Sequence, residues 1–221
     1  MKEKKRKAAR KAVEWIEDGM TIGLGTGSTT FYALEAIGEM VRGGYELVGV
    51  PTSIQTEEIA EEFGIPLTTL EEVERLDVTI DGADEVDPKK KLIKGMGGAL
   101  LREKIVASCT DLQIIVIDDS KLVDDLGTRS PLPVEVVPFG HLRTKEKIES
   151  MGCKARLRGD KSPQITDSGN FIYDCDFKMI KEPKKLERDL NAIPGVVENG
   201  LFIGMADRII VAGKDGIHIR D

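Results

Sequence analysis

The chain is short of the residues that build metal and disulfide sites. It has two histidines and three cysteines in 221 residues, and Cys109, Cys153 and Cys175 lie far apart. That spacing excludes zinc-type ligand pairs and a disulfide scaffold, and it fits a reduced, cytoplasmic setting. No apolar run approaches the ~20 residues a membrane span needs; one of the longest, residues 112–117, has Gln113 inside it. The N-terminal MKEKKRK is basic with no apolar segment behind it, so no secretory signal is expected. Asn and Gln are scarce while Lys, Arg and Glu are abundant, a composition that leans toward heat adaptation. Lys and Arg number 32 against 39 Asp and Glu, and the net charge of −7 argues against non-specific nucleic-acid binding. The 40% hydrophobic content supports a core and excludes wholesale disorder. The length allows one large domain, or a medium one with a small partner.

The first half alternates helical and strand patterns. Ala9, Ala12, Val13 and Ile16 share a helical face over residues 5–18, residues 20–24 read as a buried strand, and residues 29–41 return to helical period. Strands at 47–50, 78–81 and 113–118 and helices at 53–63 and 98–109 continue the rhythm. Repeated β-then-α units predict an α/β fold, a parallel sheet covered by helices. After residue 130 the order becomes β-α-β-β-α-β, with a hairpin expected to turn at Glu198-Asn199-Gly200. That order predicts a small ferredoxin-like α+β unit over residues 131–205, with 1–130 and 206–221 forming the larger domain.

Four stretches can carry chemistry. GLGTGSTT (23–30) lies between a strand and a helix, where glycine-opened backbone N–H groups and the helix N-terminus favour an anion. Ser at position 28 breaks the dinucleotide fingerprint, Val50-Pro51 lacks the ribose-binding acid, and no Gly-Lys-Ser/Thr is present. A simple phosphate group fits; an ordinary capped glycine turn is the bland alternative. DGADEVD (81–87) puts acids at the carboxyl end of a strand, where open α/β sheets hold ligands. The spacing does not match a calcium loop, and a solvated acidic turn competes with a sugar-binding role. KGMGGALLREK (94–104) repeats the glycine-then-helix pattern with Lys94 at its edge. Within it Glu103 has Ala99, Leu100, Val106 and Ala107 as helical neighbours, an apolar setting that suits a proton-carrying base. A half-buried structural glutamate is the other reading. DDSK (118–121) sets Lys121 at the same expected sheet edge; alone it reads as a solvated turn. The basic run at residues 4–7 reads as a solvated helix face with one member able to reach an anion. Trp15 and the methionines read as packing residues, and His141 and His218 lie outside all four stretches.

An anion cradle, several carboxylates and lysines without a cofactor fingerprint suit proton transfer beside the carbonyl of a phosphorylated small molecule. The chain resembles the ribose-5-phosphate isomerase family of the A type along essentially its whole length. The stretches that carry the resemblance are GLGTGSTT, DGADEVD, KGMGGALLREK, DDSKLV, LPVEVVPFG, TDSGNFIYD and IPGVVENGLF, in the family's order. The resemblance implies interconversion of D-ribose 5-phosphate and D-ribulose 5-phosphate through an enediolate in the non-oxidative pentose phosphate pathway. It implies a Rossmann-like doubly wound catalytic domain (1–130 and 206–221) with an inserted small ferredoxin-like α+β lid or oligomerisation domain (131–205). It also implies no metal or organic cofactor and a homodimer or homotetramer, with no nucleic-acid or membrane partner. Glu103 would be the base, with Asp81, Asp84 and Lys94 around the sugar's O1 and O2. Gly82, Ala83, Gly95, Met96 and Gly97 would contact substrate, while Ser28, Thr29, Thr30 and the Phe31 backbone would hold the phosphate with charge from Lys121 and Lys7. The family usually reads Lys-Gly-Gly-Gly-Gly where this chain has Met96. If that backbone needs a positive φ, Met would be strained by ~1–2 kcal/mol. A non-catalytic sugar-phosphate sensor of related fold would keep the cradle and dispense with Glu103. A coenzyme A transferase-like enzyme would need its glutamate in another context, and an amino-sugar deaminase would use a histidine beside its carboxylates.

Overall fold

The computed structural model describes residues 2–221 and divides the chain into two compact units. The first comprises Met1–Ala83, Arg102–Lys121 and Gly204–Asp221; the second comprises Asp84–Leu101 and Leu122–Ile203. Residues 84–101 and 122–130, expected in the larger domain, thus group with the smaller unit, and residues 204–205, expected in the smaller, group with the larger.

In the first unit a six-stranded sheet is built from β1 (Thr21–Leu24), β2 (Val48–Pro51), β3 (Leu76–Asp81), β6 (Thr110–Asp118), β12 (Arg208–Gly213) and β13 (Gly216–Arg220). Its order is β13-β12-β6-β3-β1-β2, with every pairing parallel except β12–β13. The Rossmann-like sheet is therefore as expected, including the return of the C-terminal strands. The helices α1 (Lys2–Ala12), α2 (Thr30–Arg42) and α3 (Ile54–Glu62) supply Ala8, Ala9, Ala12, Leu34, Ile37 and Ala60 to a core under Ile22, Leu24, Val78, Ile80, Ile114, Val116 and Ile210. Ser53 caps α3 by accepting from the Thr56 N–H at 3.0 Å. Val106 of α4 (Leu100–Ser108) packs with Val50 and Leu76 in a separate cluster. The chain leaves β1 toward β2 and then crosses back to β3 on the other side of β1. This switch point opens a crevice at the strands' carboxyl ends.

In the second unit β7 (Leu132–Val136), α5 (His141–Glu149), β8 (Lys154–Leu157), β9 (Phe171–Asp176), α6 (Pro183–Asn191) and β10 (Val196–Asn199) follow the expected β-α-β-β-α-β order. Their sheet reads β10-β7-β9-β8 and is antiparallel throughout. Val134, Tyr173, Cys175, Ile148 and Leu190 lie in its core. The expected hairpin at 196–203 is not formed. Val196–Asn199 pairs with β7, whereas β11 (Leu201–Phe202) pairs with β5 (Leu92–Ile93), itself joined to β4 (Glu85–Val86). Gly200 makes the crossing between these two sheets: its N–H donates to Pro133 at 2.8 Å, and its carbonyl accepts from the Lys94 N–H at 2.9 Å.

Candidate active site

The first unit brings the glycine turn and Asp81 together at the switch point. Gly25 follows β1, and a Cβ there would fall on the Asp81 side chain and 2.6 Å from its Cα. Glycine is what lets the turn touch the end of β3. Thr26 Oγ1 lies 2.8, 2.7 and 2.9 Å from the hydroxyls of Thr52, Ser53 and Thr56, and Thr56 donates to the Gly25 carbonyl at 3.1 Å. This buried hydroxyl cluster pins the turn from beneath. Beyond it the Thr30 hydroxyl donates to the Gly27 carbonyl at 2.7 Å, and the Phe31 N–H donates to the same oxygen at 3.0 Å. Ser28 is exposed, Thr29 is half-buried, and Gly27, Ser28, Thr30, Phe31, Gln55 and Thr56 line a cavity of about 340 Å³.

The cation at this turn is Lys5, whose Nζ donates to Ser28 Oγ at 2.7 Å. Lys7, expected there, pairs instead with Glu3 at 3.0 Å. Two residues apart on a helix do not share a face, so only one of them reaches the turn. Asp81 is fully buried and accepts from the Gly82 N–H at 2.7 Å, with Gly82 and Ala83 half-buried after it. Glu103 is 4% exposed on α4, and Val106 and Ala107 beyond it are buried. Lys121 ends a single helical turn after β6 and is half-buried. The neighbouring Asp119 accepts from Lys4 at 2.7 Å, a hydrogen bond that holds its carboxyl below the usual range.

The second unit carries the remaining predicted residues. Lys94 is 2% exposed, with its ammonium 5.3 Å from the Phe202 ring centroid. Asp84 accepts from the Met96 N–H at 3.0 Å. Positive φ falls on Gly95 (+102°) and Gly98 (+87°), and Met96 is not among the positive-φ residues. The methionine therefore carries no left-handed strain, and the residue is 43% exposed. The acids of 81–87 divide by role. Glu85 is fully buried and accepts from the N–H groups of Gly127, Arg129 and Ser130 at 2.6, 2.7 and 2.5 Å. Asp87 accepts from those of Lys89 and Lys91, both at 2.8 Å. These two shape loops and leave Asp81 and Asp84 as the candidate substrate acids.

Residues 48–216 match the family described as Ribose 5-phosphate isomerase A (phosphoriboisomerase A). The chain belongs to the ribose 5-phosphate isomerase A family. It is 52% identical over 217 residues to the ribose-5-phosphate isomerase A of Gloeobacter violaceus, across 97% of this chain and 94% of that protein. A solved D-ribose-5-phosphate isomerase in complex with phospho-erythronic acid matches with a TM-score of 0.96 and 45% identity, over 99% of this chain and 98% of that one. The ribose 5-phosphate isomerase of Plasmodium falciparum matches at a TM-score of 0.96 and 40% identity, over 100% and 99%.

Two residues that the structure sets against predicted site residues had no clear signal in the sequence. Lys5 was one basic residue among several, and the exposed Ser28 is what singles it out. Arg158 lies in a turn-rich stretch without a motif, yet its Nη1 donates to the Gly95 carbonyl at 2.9 Å. Among the described residues no three His, Cys, Asp or Glu side chains gather as a metal site would need, and no helix is long and apolar enough to cross a membrane.

Proposed function

We infer that the chain is an aldose–ketose isomerase that interconverts D-ribose 5-phosphate and D-ribulose 5-phosphate. The observation that carries this reading is the burial of Glu103 and Lys94, 4% and 2% exposed, in a chain that also holds a glycine-turned anion cradle beside Asp81. Burying ionisable groups is costly and is characteristic of sites that move charge. In this reading the Glu103 carboxylate takes the C2 proton of the open-chain aldose, leaving an enediolate. The same proton is returned to C1 while a second proton passes from O2 to O1. Lys94 and the N–H groups of Gly95 and Gly97 meet the negative oxygen as it develops, in the manner of preorganised donors, while the Met96 and Gly98 N–H groups are held by Asp84 and the Gly95 carbonyl. Asp81 and Asp84 assist ring opening and the proton traffic between the oxygens. Ser28, Thr29, Thr30 and the Phe31 backbone hold the phosphate, with Lys5 and Lys121 supplying charge.

The reaction so described uses no metal or organic cofactor. A homodimer or homotetramer, a cytoplasmic setting and a place in the non-oxidative pentose phosphate pathway belong to the same reading. Three free cysteines, two of them buried, are in keeping with a reducing compartment. A sensing domain is not favoured, because relatives at half identity over nearly the full chain are isomerases.

Glu103→Gln tests the reading. The amide matches the carboxylate in size but is no base, so kcat should fall by ~10²–10⁴ while phosphate binding persists. The measurement is ketose formation from D-ribose 5-phosphate beside inhibition by inorganic phosphate. A variant within a few-fold of the parent would remove Glu103 from its role.

A further inference from the structure

We propose that Arg158 and Asp174 form a positioning pair for Asp84, acting through the Gly95–Met96 peptide group. The pair is buried, with side chains 10% and 7% exposed. The guanidinium forks onto the carboxylate, Nε to Oδ2 at 3.1 Å and Nη2 to Oδ1 at 2.5 Å. Its third nitrogen, Nη1, donates to the Gly95 carbonyl at 2.9 Å and lies 3.3 Å from the Met96 carbonyl. The other end of the Gly95–Met96 peptide is the Met96 N–H, which donates to Asp84 Oδ2 at 3.0 Å.

An unbroken line therefore runs from Asp174 through Arg158 and one peptide group to Asp84. A cation on a peptide carbonyl polarises the amide and strengthens its N–H as a donor, so the Asp84 carboxylate is both oriented and stabilised. The anchor is stiff. Asp174 lies on β9 opposite Arg156 of β8, and the Arg158 N–H continues the pairing to Ile172 at 2.8 Å. A buried ion pair is a weak route to stability alone. A planar fork that grips a carboxylate while its remaining nitrogen meets a carbonyl is a geometry lysine cannot supply. The proposal rests on the reading of Asp84 as a substrate-facing acid.

The test compares Arg158→Gln, Arg158→Lys and Asp174→Asn, with and without Asp84→Asn, in steady-state isomerisation of D-ribose 5-phosphate. Misplacing a positioned group costs ~10- to 100-fold, so kcat should drop by that factor in Arg158→Gln with KM nearly unchanged. Combining it with Asp84→Asn should cost no more than Asp84→Asn alone, since residues acting as a unit are non-additive. Arg158→Lys should recover part of the loss. Amide exchange at Met96 should quicken in every folded Arg158 or Asp174 variant. Unchanged kcat, additive losses, or an unchanged Met96 exchange rate would overturn the proposal. If Arg158→Gln does not fold, Asp174→Asn, which keeps the shape of the acid, carries the same comparison. A parent protein with no isomerase activity would defeat the functional reading, and the Met96 exchange rate would still decide the positioning claim.

Discussion

Gly95 and Met96 are adjacent, and the structure gives them opposite tolerances. Gly95 has φ of +102°, and a Cβ there would lie 2.7 Å from the Leu100 Cβ and 2.9 Å from its Cδ2. In Gly95→Ala the left-handed backbone costs ~1–2 kcal/mol. Crowding against a buried leucine adds ~1–3 kcal/mol. For a chain of this size 1 kcal/mol moves Tm by ~2–4 °C, so the combined cost lowers Tm by about 4–20 °C. The carbonyl that Arg158 holds and the amide that Asp84 holds would move as well, and kcat should fall ~10-fold or more. Met96→Gly is the counterpart. With no strain to relieve, it should lower stability by ~0.5–1 kcal/mol through the freer unfolded chain and leave kcat within a few-fold. Thermal denaturation and initial-rate assays on the two variants decide the matter. A Met96→Gly protein more stable than its parent, or a Gly95→Ala protein as active as its parent, would refute the reasoning.

Two further perturbations separate residues that look alike in the sequence. Glu85→Gln replaces an acceptor of three N–H groups with an amide that has one oxygen and presents hydrogens to the rest. It should cost ~2–5 kcal/mol, with kcat below the melting range reduced less than tenfold; a Tm within a degree or two of the parent would contradict the loop-clamping role. Lys5→Ala should raise KM for D-ribose 5-phosphate and weaken phosphate inhibition ~10-fold or more, as loss of a charged hydrogen-bond donor does. Lys7→Ala, a surface pair with Glu3, should leave both within about twofold; the reverse ranking would move the anion to the other face of α1.

Much of the fold was legible because the elements of the larger sheet are long enough to show their periods. Strands such as residues 113–118 are buried and read as near-continuous apolar runs, while α2 spaces Leu34 and Ile37 for one face. β4 and β5 were not legible, since two residues each cannot display an alternation. The hairpin at Glu198-Asn199-Gly200 was misread for a different reason. The tripeptide has turn chemistry, but Gly200 is required there because a Cβ would strike the Lys94 carbonyl, and its own hydrogen bonds send the next strand to another sheet. The candidate site shows the same divide. Local signals such as the glycine turn after β1 and the apolar helical neighbours of Glu103 can be read from neighbours in sequence. The division of labour among Asp84, Glu85 and Asp87 depends on backbone N–H groups that for Glu85 are more than forty residues away, and no local pattern encodes it. Lys5 and Arg158 fall in the same class, their partners lying 23 and 63 positions distant.

The central claim, proton transfer from C2 to C1 by a protein base, is tested most directly by an NMR time course of D-ribose 5-phosphate in D₂O with chelator present. D-ribulose 5-phosphate should appear as fast as without chelator, its C1 deuterium content reporting how well Glu103 is shielded from solvent, and should not appear with Glu103→Gln on the same timescale. Tight binding of the sugar phosphate with no ketose formed, or ketose formed equally by both proteins, would contradict it.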